Sequence, residues 1–319
     1  MQSVIVLGGG MIGSAMAMDL AGDPKLAVTV ADARPEVLAR LGDRFGIATV
    51  EADLSDTAAV KALVKDADVV LGALPSVFGL KTLAAVAECG RRYVDISFMP
   101  EDALAHDALA KRHGATAVVD CGVAPGISNL MAGYFAAKLD VCERIEILVG
   151  GLPQERRWPF DYKAGFAPSD VIEEYTRPSR FVQDGRVVVR EALSDAELVD
   201  FPGVGTLEAF NTDGLRSLLT TLKAPTMIEK TMRYPGHAAL MRVFRETGLF
   251  SKDSIDVDGQ KVVPLAVLSR LLFPKWTFGE GEADLTALRV SVSGQKDGAT
   301  VTHRFDLLDR YDAKTGLRS

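Results

Sequence analysis

The sequence predicts an α/β protein: a doubly wound parallel sheet followed by a second α+β domain built on a mostly antiparallel sheet. Residues 1–120 alternate short apolar runs with amphipathic stretches, which is typical of a parallel sheet with helical crossovers. A glycine-rich turn follows the first apolar run, and after residue 120 hairpin signals replace the alternation. A chain of 319 residues is long enough for two cores, so we place the domains at residues 1–121 and 122–319.

Six apolar runs are expected to form the parallel strands, and they cover residues 4–7, 27–31, 48–50, 68–73, 92–95 and 117–120. The helices between them are expected at residues 11–21, 35–45, 55–65, 81–89 and 102–113. Pro35 suits a first helical position, and Ser55 is predicted to cap the third helix. Right-handed crossovers between these strands would give a doubly wound sheet.

The second domain is expected to open with a turn-rich hinge at residues 121–126 and a helix at residues 128–138. Two hairpins are predicted, one around Asp184-Gly185 and one around residues 296–298, because Asp-Gly favours tight hairpin turns. Further helices are expected near residues 169–175, 214–219 and 238–246.

Composition narrows the class of partner. The net charge is -7 and the basic residues are scattered, which argues against a nucleic-acid partner. No apolar run reaches the roughly 20 residues that span a bilayer, and no secretory signal is visible, so we expect no membrane partner and a cytoplasmic location. We expect Cys89, Cys121 and Cys142 to be reduced, buried thiols, and with only four histidines we predict no metal site.

The segment Gly8 to Gly13 fits the pattern G-x-G-x-x-G between a strand and a helix, which predicts a Rossmann dinucleotide-binding domain at residues 1–121. Gly8 would permit the tight turn, Gly10 would let the backbone approach a pyrophosphate, and Gly13 would let helix and strand pack closely. Asp32, 19 residues past Gly13, would accept a hydrogen bond from the ribose. The alternative is a plain glycine turn with a capping aspartate. The predicted cofactor-binding residues are Gly8, Gly10, Met11, Ile12, Gly13, Asp32, Arg34, Asp53, Leu54, Leu74 and Pro75.

The choice of cofactor follows from charge. A carboxylate at Asp32 would repel the extra phosphate of NADP, so NAD is favoured, whereas Arg34 would soften that preference and leaves NADP open. Asp53 and Leu54 are expected to border the adenine, and Leu74 and Pro75 to lie near the nicotinamide. The alternative for Asp53 and Leu54 is a helix cap, and the alternative for Leu74 and Pro75 is a plain turn.

Several strings resemble the saccharopine dehydrogenase-like family, and within it the L-lysine 6-dehydrogenases. They lie at residues 93–95, 120–126, 149–153, 207–214 and 230–237, and the string at residues 120–126 matches D-x-G-x-A-P-G. Two features depart from the family pattern. Residues 158–167 differ in charge, and the family usually continues past residues 311–316 with a helix that returns to the nucleotide domain, so either the sequence is trimmed or that helix is absent.

The resemblance implies oxidation at an amine-bearing carbon, with hydride transfer to NAD and hydrolysis of the imine. For L-lysine at its 6-amino group, the product would be the semialdehyde. This chemistry needs a base to hold the amine neutral and a fixed cation for the substrate carboxylate.

Arg233 is our candidate for the carboxylate-binding cation, with a surface salt bridge as the alternative. Asp95, Asp120 or His237 would serve as base or imine stabiliser. A hydrogen bond to loop N–H groups is the alternative for Asp95, and a helix N-cap is the alternative for His237. Residues expected to line the substrate pocket, or else to shape turns, are Val123, Ala124, Pro125, Thr212 and Asp213.

Two other functions stay open. Saccharopine or a carboxylated polyamine would need more basic residues in the pocket, which the variable segment could supply through Arg156, Arg157, Lys163 and Arg177. A non-catalytic nucleotide-sensing protein is the alternative from a different class. The long second hairpin offers edges that another subunit could cover, so we expect a homodimer or a dimer-based oligomer.

Overall fold

The computed structural model describes residues 1–319. The chain forms two compact units, Met1–Gly126 and Ile127–Ser319, so the division falls after Gly126, where the sequence predicted residue 121. No helix in the structure combines the length and the apolar character that crossing a membrane requires.

The first unit alternates strands and helices throughout. Its elements are β1 (Gln2–Leu7), α1 (Met11–Ala21), β2 (Leu26–Asp32), α2 (Pro35–Phe45), β3 (Ala48–Glu51), α3 (Thr57–Val64), β4 (Val69–Gly72), α4 (Ser76–Glu88), β5 (Arg92–Asp95), α5 (Asp107–His113) and β6 (Thr116–Val118). The strands form one parallel sheet in the order β3-β2-β1-β4-β5-β6, which confirms the doubly wound sheet. Leu7 is paired with Gly72, and Gly72 with Asp95, so the carboxyl ends of these strands meet at one edge.

Strand β1 is buried on both faces, as a central parallel strand must be. Ile5 and Leu7 pack in one apolar cluster with α3 and α4. Val4 and Val6 point the opposite way, into a cluster with α2. This two-sided burial fixes the sheet between its layers of helices.

Four predictions for the first unit are wrong in detail. Asp56, not Ser55, caps α3, because its side chain accepts from the backbone N–H of Ala58 at 2.8 Å. Helix α4 begins at Ser76, well before residue 81. It contains Gly79, where a Cβ would lie 2.6 Å from the Ser97 hydroxyl, so this helical glycine serves close packing.

The other two differences lie on either side of α5. The first turn of the helix predicted at residues 102–113 is a separate 3₁₀ turn, Ala103–His106, because the Asp102 side chain caps Leu104 N–H. Strand β6 ends at Val118, before Asp120, whose φ of 55° is incompatible with a strand.

The second unit is built on a mixed sheet. Its elements are α6 (Ile127–Ala136), β7 (Val141–Pro153), α7 (Pro168–Thr176), β8 (Ser179–Gln183), β9 (Arg186–Arg190), β10 (Glu197–Phe201), β11 (Gly205–Asn211), α8 (Leu218–Thr221), β12 (Thr226–Arg233), α9 (His237–Glu246), β13 (Ile255–Val257), β14 (Gln260–Val262), α10 (Pro264–Trp276), β15 (Asp284–Lys296) and β16 (Ala299–Arg310). The main sheet has the order β10-β11-β12-β7-β15-β16, with β8 paired to β12 and β9 paired to β8. Only β7 and β12 pair in parallel, and both predicted hairpins are present.

Two helices of the second unit differ from the sequence prediction. Helix α8 begins at Leu218, not at residue 214, because residues 212–216 make side-chain contacts in a turn instead. Helix α10 was not predicted and contains Pro274, a residue that disfavours helix interiors. It forms because Leu268, Leu272 and Trp276, spaced by four residues, enter one apolar cluster.

All three cysteines are free thiols. Cys121 is exposed, and Cys89 and Cys142 are half-buried, so the prediction of buried thiols is wrong. Cys121 lies in the turn after β6, where its backbone N–H donates to the carbonyl of Asp95, the last residue of β5, at 3.0 Å.

Candidate active site

The glycine-rich turn between β1 and α1 has the shape of a dinucleotide cradle. Gly8 has a φ of +100°, and a Cβ there would lie 2.6 Å from the carbonyl oxygen of Ala73. A Cβ on Gly13 would lie 1.8 Å from the carbonyl oxygen of Gly8. At Gly10 the nearest atom to a Cβ would be Arg34 Nη2 at 3.8 Å. Gly8 and Gly13 are therefore required by packing within the loop, whereas Gly10 leaves its outer face open to a ligand.

Helix α1 presents its first turn to that open face. Gly10 is its N-cap residue, and no side chain accepts from the first N–H groups of the helix. Met11 and Ile12, in that first turn, are 46% and 38% exposed. Backbone N–H groups and the positive end of the helix dipole suit a phosphate, so this loop fits the pyrophosphate of a dinucleotide.

Asp32, at the end of β2, contacts both the glycine loop and Arg34. Its Oδ2 accepts from Gly9 N–H at 2.7 Å and from Arg34 Nη2 at 2.9 Å, and its Oδ1 accepts from Arg34 Nε at 2.9 Å. Burial alone raises the pKa of Asp32, but hydrogen bonds from Arg34 and Gly9 outweigh it and hold the pKa below its ordinary value. The carboxylate is therefore ionised and largely neutralised by Arg34, whose side chain is 54% exposed.

The other predicted cofactor residues differ in their exposure. Leu74 packs against the loop, 3.2 Å from a Cβ built on Gly8, and exposed Pro75 is the N-cap of α4. Asp53 is exposed and accepts from Ser55 N–H at 2.9 Å in a turn. Leu54 is only 6% exposed and belongs to the core, so only its backbone could border an adenine.

Asp95 is a buried carboxyl group at the same edge of the sheet. It accepts hydrogen bonds from Tyr93 Oη at 3.1 Å, from Ser97 N–H at 3.2 Å and from the Ser97 hydroxyl. Burial raises the pKa of Asp95 to about 6, and the negative charge of nearby Asp120 adds to the rise. Asp95 therefore accepts a loop N–H bond from Ser97, which was the alternative role considered for it. Its raised pKa also suits proton transfer near neutral pH.

Residues 121–126 form a tight turn after Asp120. Val123 is 37% exposed, and the Ala124-Pro125 peptide is cis. Gly126 has a φ of +146°, and a Cβ there would lie 1.7 Å from the carbonyl oxygen of Gly122. The turn therefore has its own internal packing requirement, and its role toward substrate stays a prediction.

Arg233 lies in the interior of the second unit. It is 2% exposed, and its Nη2 contacts Glu174 Oε2 at 2.6 Å. Its Nε donates to Tyr175 Oη at 3.3 Å, its Nη1 donates to the carbonyl of Met232 at 3.0 Å, and its guanidinium lies 4.6 Å from the ring centre of Tyr162. The surface salt bridge considered for Arg233 is wrong, because this ion pair is buried.

His237 belongs to the same network. Its Nε2 is 2.9 Å from Tyr175 Oη, and its Nδ1 is 2.9 Å from the carbonyl oxygen of Phe160. Burial lowers the pKa of His237 to about 3, and the charge of Arg233 adds to this effect. His237 is therefore neutral at working pH. The N-cap role is wrong, because Gly236, with a φ of +97°, is the N-cap of α9.

Thr212 and Asp213 are also interior residues, 3% and 2% exposed. Thr212 Oγ1 donates to Glu229 Oε2 at 2.7 Å, and Gly214 N–H donates to the same oxygen at 2.9 Å. Burial raises the pKa of Glu229 to about 8. Glu229 is not among the residues predicted from the sequence. Its position between apolar residues in the run that forms β12 is the pattern that would have indicated a buried carboxyl group.

The basic residues of the variable segment form local ion pairs. Arg156 binds Asp161 at 2.8 Å, and Arg157 binds Glu282 at 2.8 Å. Lys163 also binds Glu282. Arg177, at the end of α7, is 3.8 Å from Glu173 and faces a different set of residues, including Arg216 and Asp213.

Two family models match the chain. The saccharopine dehydrogenase NADP binding domain matches residues 4–118, and the saccharopine dehydrogenase C-terminal domain matches residues 122–318.

Curated relatives are identical to the chain at about a quarter of the aligned residues. A carboxyaminopropylagmatine dehydrogenase from Synechocystis is 24% identical over 95% of this chain and 80% of that protein. A saccharopine dehydrogenase [NADP(+), L-glutamate-forming] from Saccharomyces cerevisiae is 23% identical over 93% of this chain and 68% of that protein. An alpha-aminoadipic semialdehyde synthase from Bos taurus is 24% identical over 79% of this chain, which spans only 29% of that protein.

A solved structure shares the fold. The apo saccharopine dehydrogenase (L-Glu forming) from Saccharomyces cerevisiae superposes with a TM-score of 0.80 at 18% identity, covering 100% of this chain and 87% of that chain. At this identity the match shows the fold: a parallel sheet followed by a mixed-sheet unit.

Proposed function

This chain belongs to the saccharopine dehydrogenase family, and from that membership we propose that it is a nicotinamide-dependent oxidoreductase acting on an amino acid at a carbon that bears an amino group. One observation carries the proposal. A glycine cradle and a buried carboxyl group with a pKa of about 6 lie at the carboxyl edge of one parallel sheet, where such sheets bind ligands.

The glycine loop would hold the cofactor. The N–H groups at the start of α1 would bind the pyrophosphate, and Asp32 with Arg34 would contact the adenosine ribose. When bound, a nicotinamide accepts the hydride that leaves the amine-bearing carbon, and hydrolysis of the resulting imine gives a carbonyl product and a free amine. We propose that NADP is accepted as well as NAD, because Arg34 neutralises Asp32 where a ribose phosphate would lie.

Asp95 would act as the base. An amine can be oxidised only when its nitrogen has a lone pair, so a proton must first leave the ammonium group. Asp95 is ionised above about pH 6, and Tyr93 and Ser97 fix its orientation through hydrogen bonds. Asp120, whose charge raises the pKa of Asp95, would keep the proton affinity of this carboxylate high enough for the transfer.

Two substrate classes remain candidates within this chemistry. One is L-lysine, oxidised at its 6-amino group to the semialdehyde. The other is a secondary amine with additional carboxylates, such as saccharopine or a carboxylated polyamine. Two relatives support the second class, because they are named for carboxyaminopropylagmatine and for saccharopine.

The decisive experiment measures initial formation of NADH and NADPH with L-lysine, L-ornithine, saccharopine and a carboxylated polyamine. We expect turnover of at least one of these amines, with a rate that rises as pH passes through about 6.

Asp95→Asn should lower kcat by about a hundredfold or more and remove that rise. Asp66→Asn, at a highly exposed carboxylate of the same unit, is the matched control. Absence of turnover with all four amines, in a protein that still binds NADPH, would favour the nucleotide-sensing alternative.

We also propose that the protein is a homodimer or a dimer-based oligomer. The main sheet of the second unit ends at β16, a strand of 12 residues that pairs only with β15. Such a long edge is commonly covered by another chain. Light scattering coupled to size-exclusion chromatography tests this, and a mass near 34.2 kDa would contradict it.

A further inference from the structure

A glycine keeps open the space that the Asp95 carboxyl group occupies in the first unit. Gly72, the last residue of β4, is paired with Asp95, the last residue of β5. A Cβ on Gly72 would lie 2.1 Å from Tyr93 Oη and 2.4 Å from Asp95 Oδ1. Any larger residue at position 72 would therefore displace the Tyr93 hydroxyl and the Asp95 carboxyl group together.

The two oxygens of the Asp95 carboxyl group have different numbers of hydrogen-bond donors. Oδ1 accepts from Tyr93 Oη at 3.1 Å and from Ser97 N–H at 3.2 Å. Oδ2 accepts from the Ser97 hydroxyl alone. An ionised carboxylate offers about four lone-pair sites, roughly two on each oxygen. Both sites of Oδ1 are therefore occupied, whereas Oδ2 keeps one site at which a proton can bind.

The Tyr93 hydroxyl remains a donor over the whole pH range in which Asp95 titrates. Tyr93 is 2% exposed, and its ring packs in the apolar cluster that the sheet forms with α3 and α4. Burial raises the pKa of Tyr93 well above its ordinary value, and the charge of Asp95 adds to the rise. Tyr93 therefore keeps its proton and can stabilise the ionised form of Asp95.

Hydrogen bonds, and not a salt bridge, stabilise the charged form of Asp95. Burial raises the pKa of Asp95 and the charge of Asp120 adds to the rise, whereas the bonds from Ser97 and Tyr93 lower it. Cys121, in the turn next to Asp120, has a thiol whose pKa is raised by burial and by both carboxylates, so this thiol is neutral near pH 6. Because no cation pairs with Asp95, each hydrogen bond has a large share in deciding when the carboxyl group ionises.

We propose that the Tyr93 hydroxyl reserves Oδ2 of Asp95 for the proton taken from the amine, and that it thereby sets the pH above which oxidation begins. This inference rests on the proposed function, in which Asp95 is the base. In this step the N–H bond of the substrate ammonium group breaks, its electron pair stays on nitrogen, and the proton forms an O–H bond with Oδ2. Tyr93 acts through Asp95, so it is a positioning residue, and Gly72 supplies the space that its hydroxyl needs.

The first test measures kcat against pH in Tyr93→Phe, which keeps the ring in the apolar cluster and removes only the hydroxyl. Because the carboxylate loses a donor, the rise in kcat expected at about pH 6 should move upward by about one pH unit, with KM changed less. Thr82→Val is the matched control, since Thr82 is 1% exposed in α4 and its hydroxyl has no hydrogen-bond partner. The profile of this control should stay in place. A merely structural role of the Tyr93 hydroxyl would lower kcat at every pH without moving the profile.

The second test titrates Asp95 in the full chain without turnover. Infrared difference spectra follow the C=O band of its protonated carboxyl group, which is assigned by its loss in Asp95→Asn. The midpoint should lie near pH 6 in the unchanged protein and in Thr82→Val, and about one pH unit higher in Tyr93→Phe.

The combined outcomes separate this inference from the proposed function. Equal midpoints in Tyr93→Phe and in the unchanged protein would overturn the inference while leaving the proposed oxidation intact. A shifted midpoint without oxidation of any amine would support the control of Asp95 by Tyr93 and contradict the proposed function. A shifted midpoint with an unmoved rate profile would show that Asp95 is not the base, which overturns the inference.

Discussion

The glycine loop of the first unit leaves backbone N–H groups without a side-chain partner, whereas the Arg233 network of the second unit pairs its polar side chains with one another. At the start of α1, no side chain accepts from the first N–H groups, and a Cβ on Gly10 would meet nothing closer than 3.8 Å. In the second unit, Arg233 and His237 find partners in Glu174, Tyr175 and the Phe160 carbonyl. A polar group that its own chain already satisfies must give up a partner before it binds a ligand, whereas the N–H groups at the start of α1 have no side-chain partner to give up.

The largest expected effect comes from breaking the Arg233–Glu174 pair. Arg233→Met leaves a buried carboxylate without its cation, so we expect a loss of about 3–5 kcal/mol in the free energy of unfolding, measured by urea denaturation. Lys111→Met, which removes an exposed pair with Asp107, should cost less than about 1 kcal/mol. If Arg233→Met retained its stability and lost only substrate affinity, Arg233 would be the carboxylate anchor and the contrast between the two regions would fail.

The next effect concerns pH. The folded state holds the Glu229 proton up to about pH 8, whereas in the unfolded chain the carboxyl has its ordinary pKa of 4.5. Stability should therefore fall as pH rises from about 4.5 to 8, by up to roughly 1.4 kcal/mol per pH unit. Glu229→Gln should remove this slope.

Thermal unfolding between pH 6.5 and 8 excludes Asp95, which completes its own loss of stability near pH 6. Burial also raises the pKa of Glu174, so the part of the slope that belongs to Glu229 is the part that Glu229→Gln removes. His237 acts in the opposite direction: because folding lowers its pKa, the free energy of unfolding falls as pH drops below 6.5, outside this window. Glu36→Gln, at an exposed glutamate of α2, is the control. If stability fell with pH at the same rate in Glu229→Gln and in the unchanged protein, ionisation of Glu229 would not destabilise the folded state.

A smaller effect is expected at the glycine loop. In Gly13→Ala the new Cβ would lie 1.8 Å from the Gly8 carbonyl oxygen, so the loop must shift. We expect NADPH binding, followed by fluorescence, to weaken by about 1–3 kcal/mol, or roughly tenfold to a hundredfold. Gly42→Ala in α2, where a Cβ would lie 3.9 Å from the nearest atom, should bind normally. Equal affinity in the two variants would mean that the cradle does not hold the dinucleotide.

The smallest effect tests cofactor choice. Arg34→Ala should uncover the Asp32 carboxylate and lower affinity for NADP relative to NAD, by roughly tenfold or less because Arg34 is half exposed. Arg44→Ala, at the other end of α2, is the control. An unchanged ratio of the two dissociation constants would show that Arg34 does not contact the ribose phosphate.

Much of the first unit was predictable. The strand and helix bounds of β5, α1 and α2 agree with the sequence prediction, because each has a local apolar pattern and a clear turn or proline at its start. The positions of Gly8 and Gly13 were predictable for the same reason. In contrast, the mixed character of the second sheet depends on the parallel pairing of β7 with β12, two strands more than 70 residues apart.

The parallel sheet, the glycine cradle, both hairpins and the family are predictable from the sequence, because all of these depend on local patterns and spacing. The tertiary structure alone sets which charged residues are buried and which partners they have. It placed Arg233 and His237 in a buried network, gave Asp95 and Glu229 their raised pKa values, and gathered Arg180 and Arg216 around Asp213. Burial and the choice of partner depend on which distant segments pack together, and no local pattern encodes that packing.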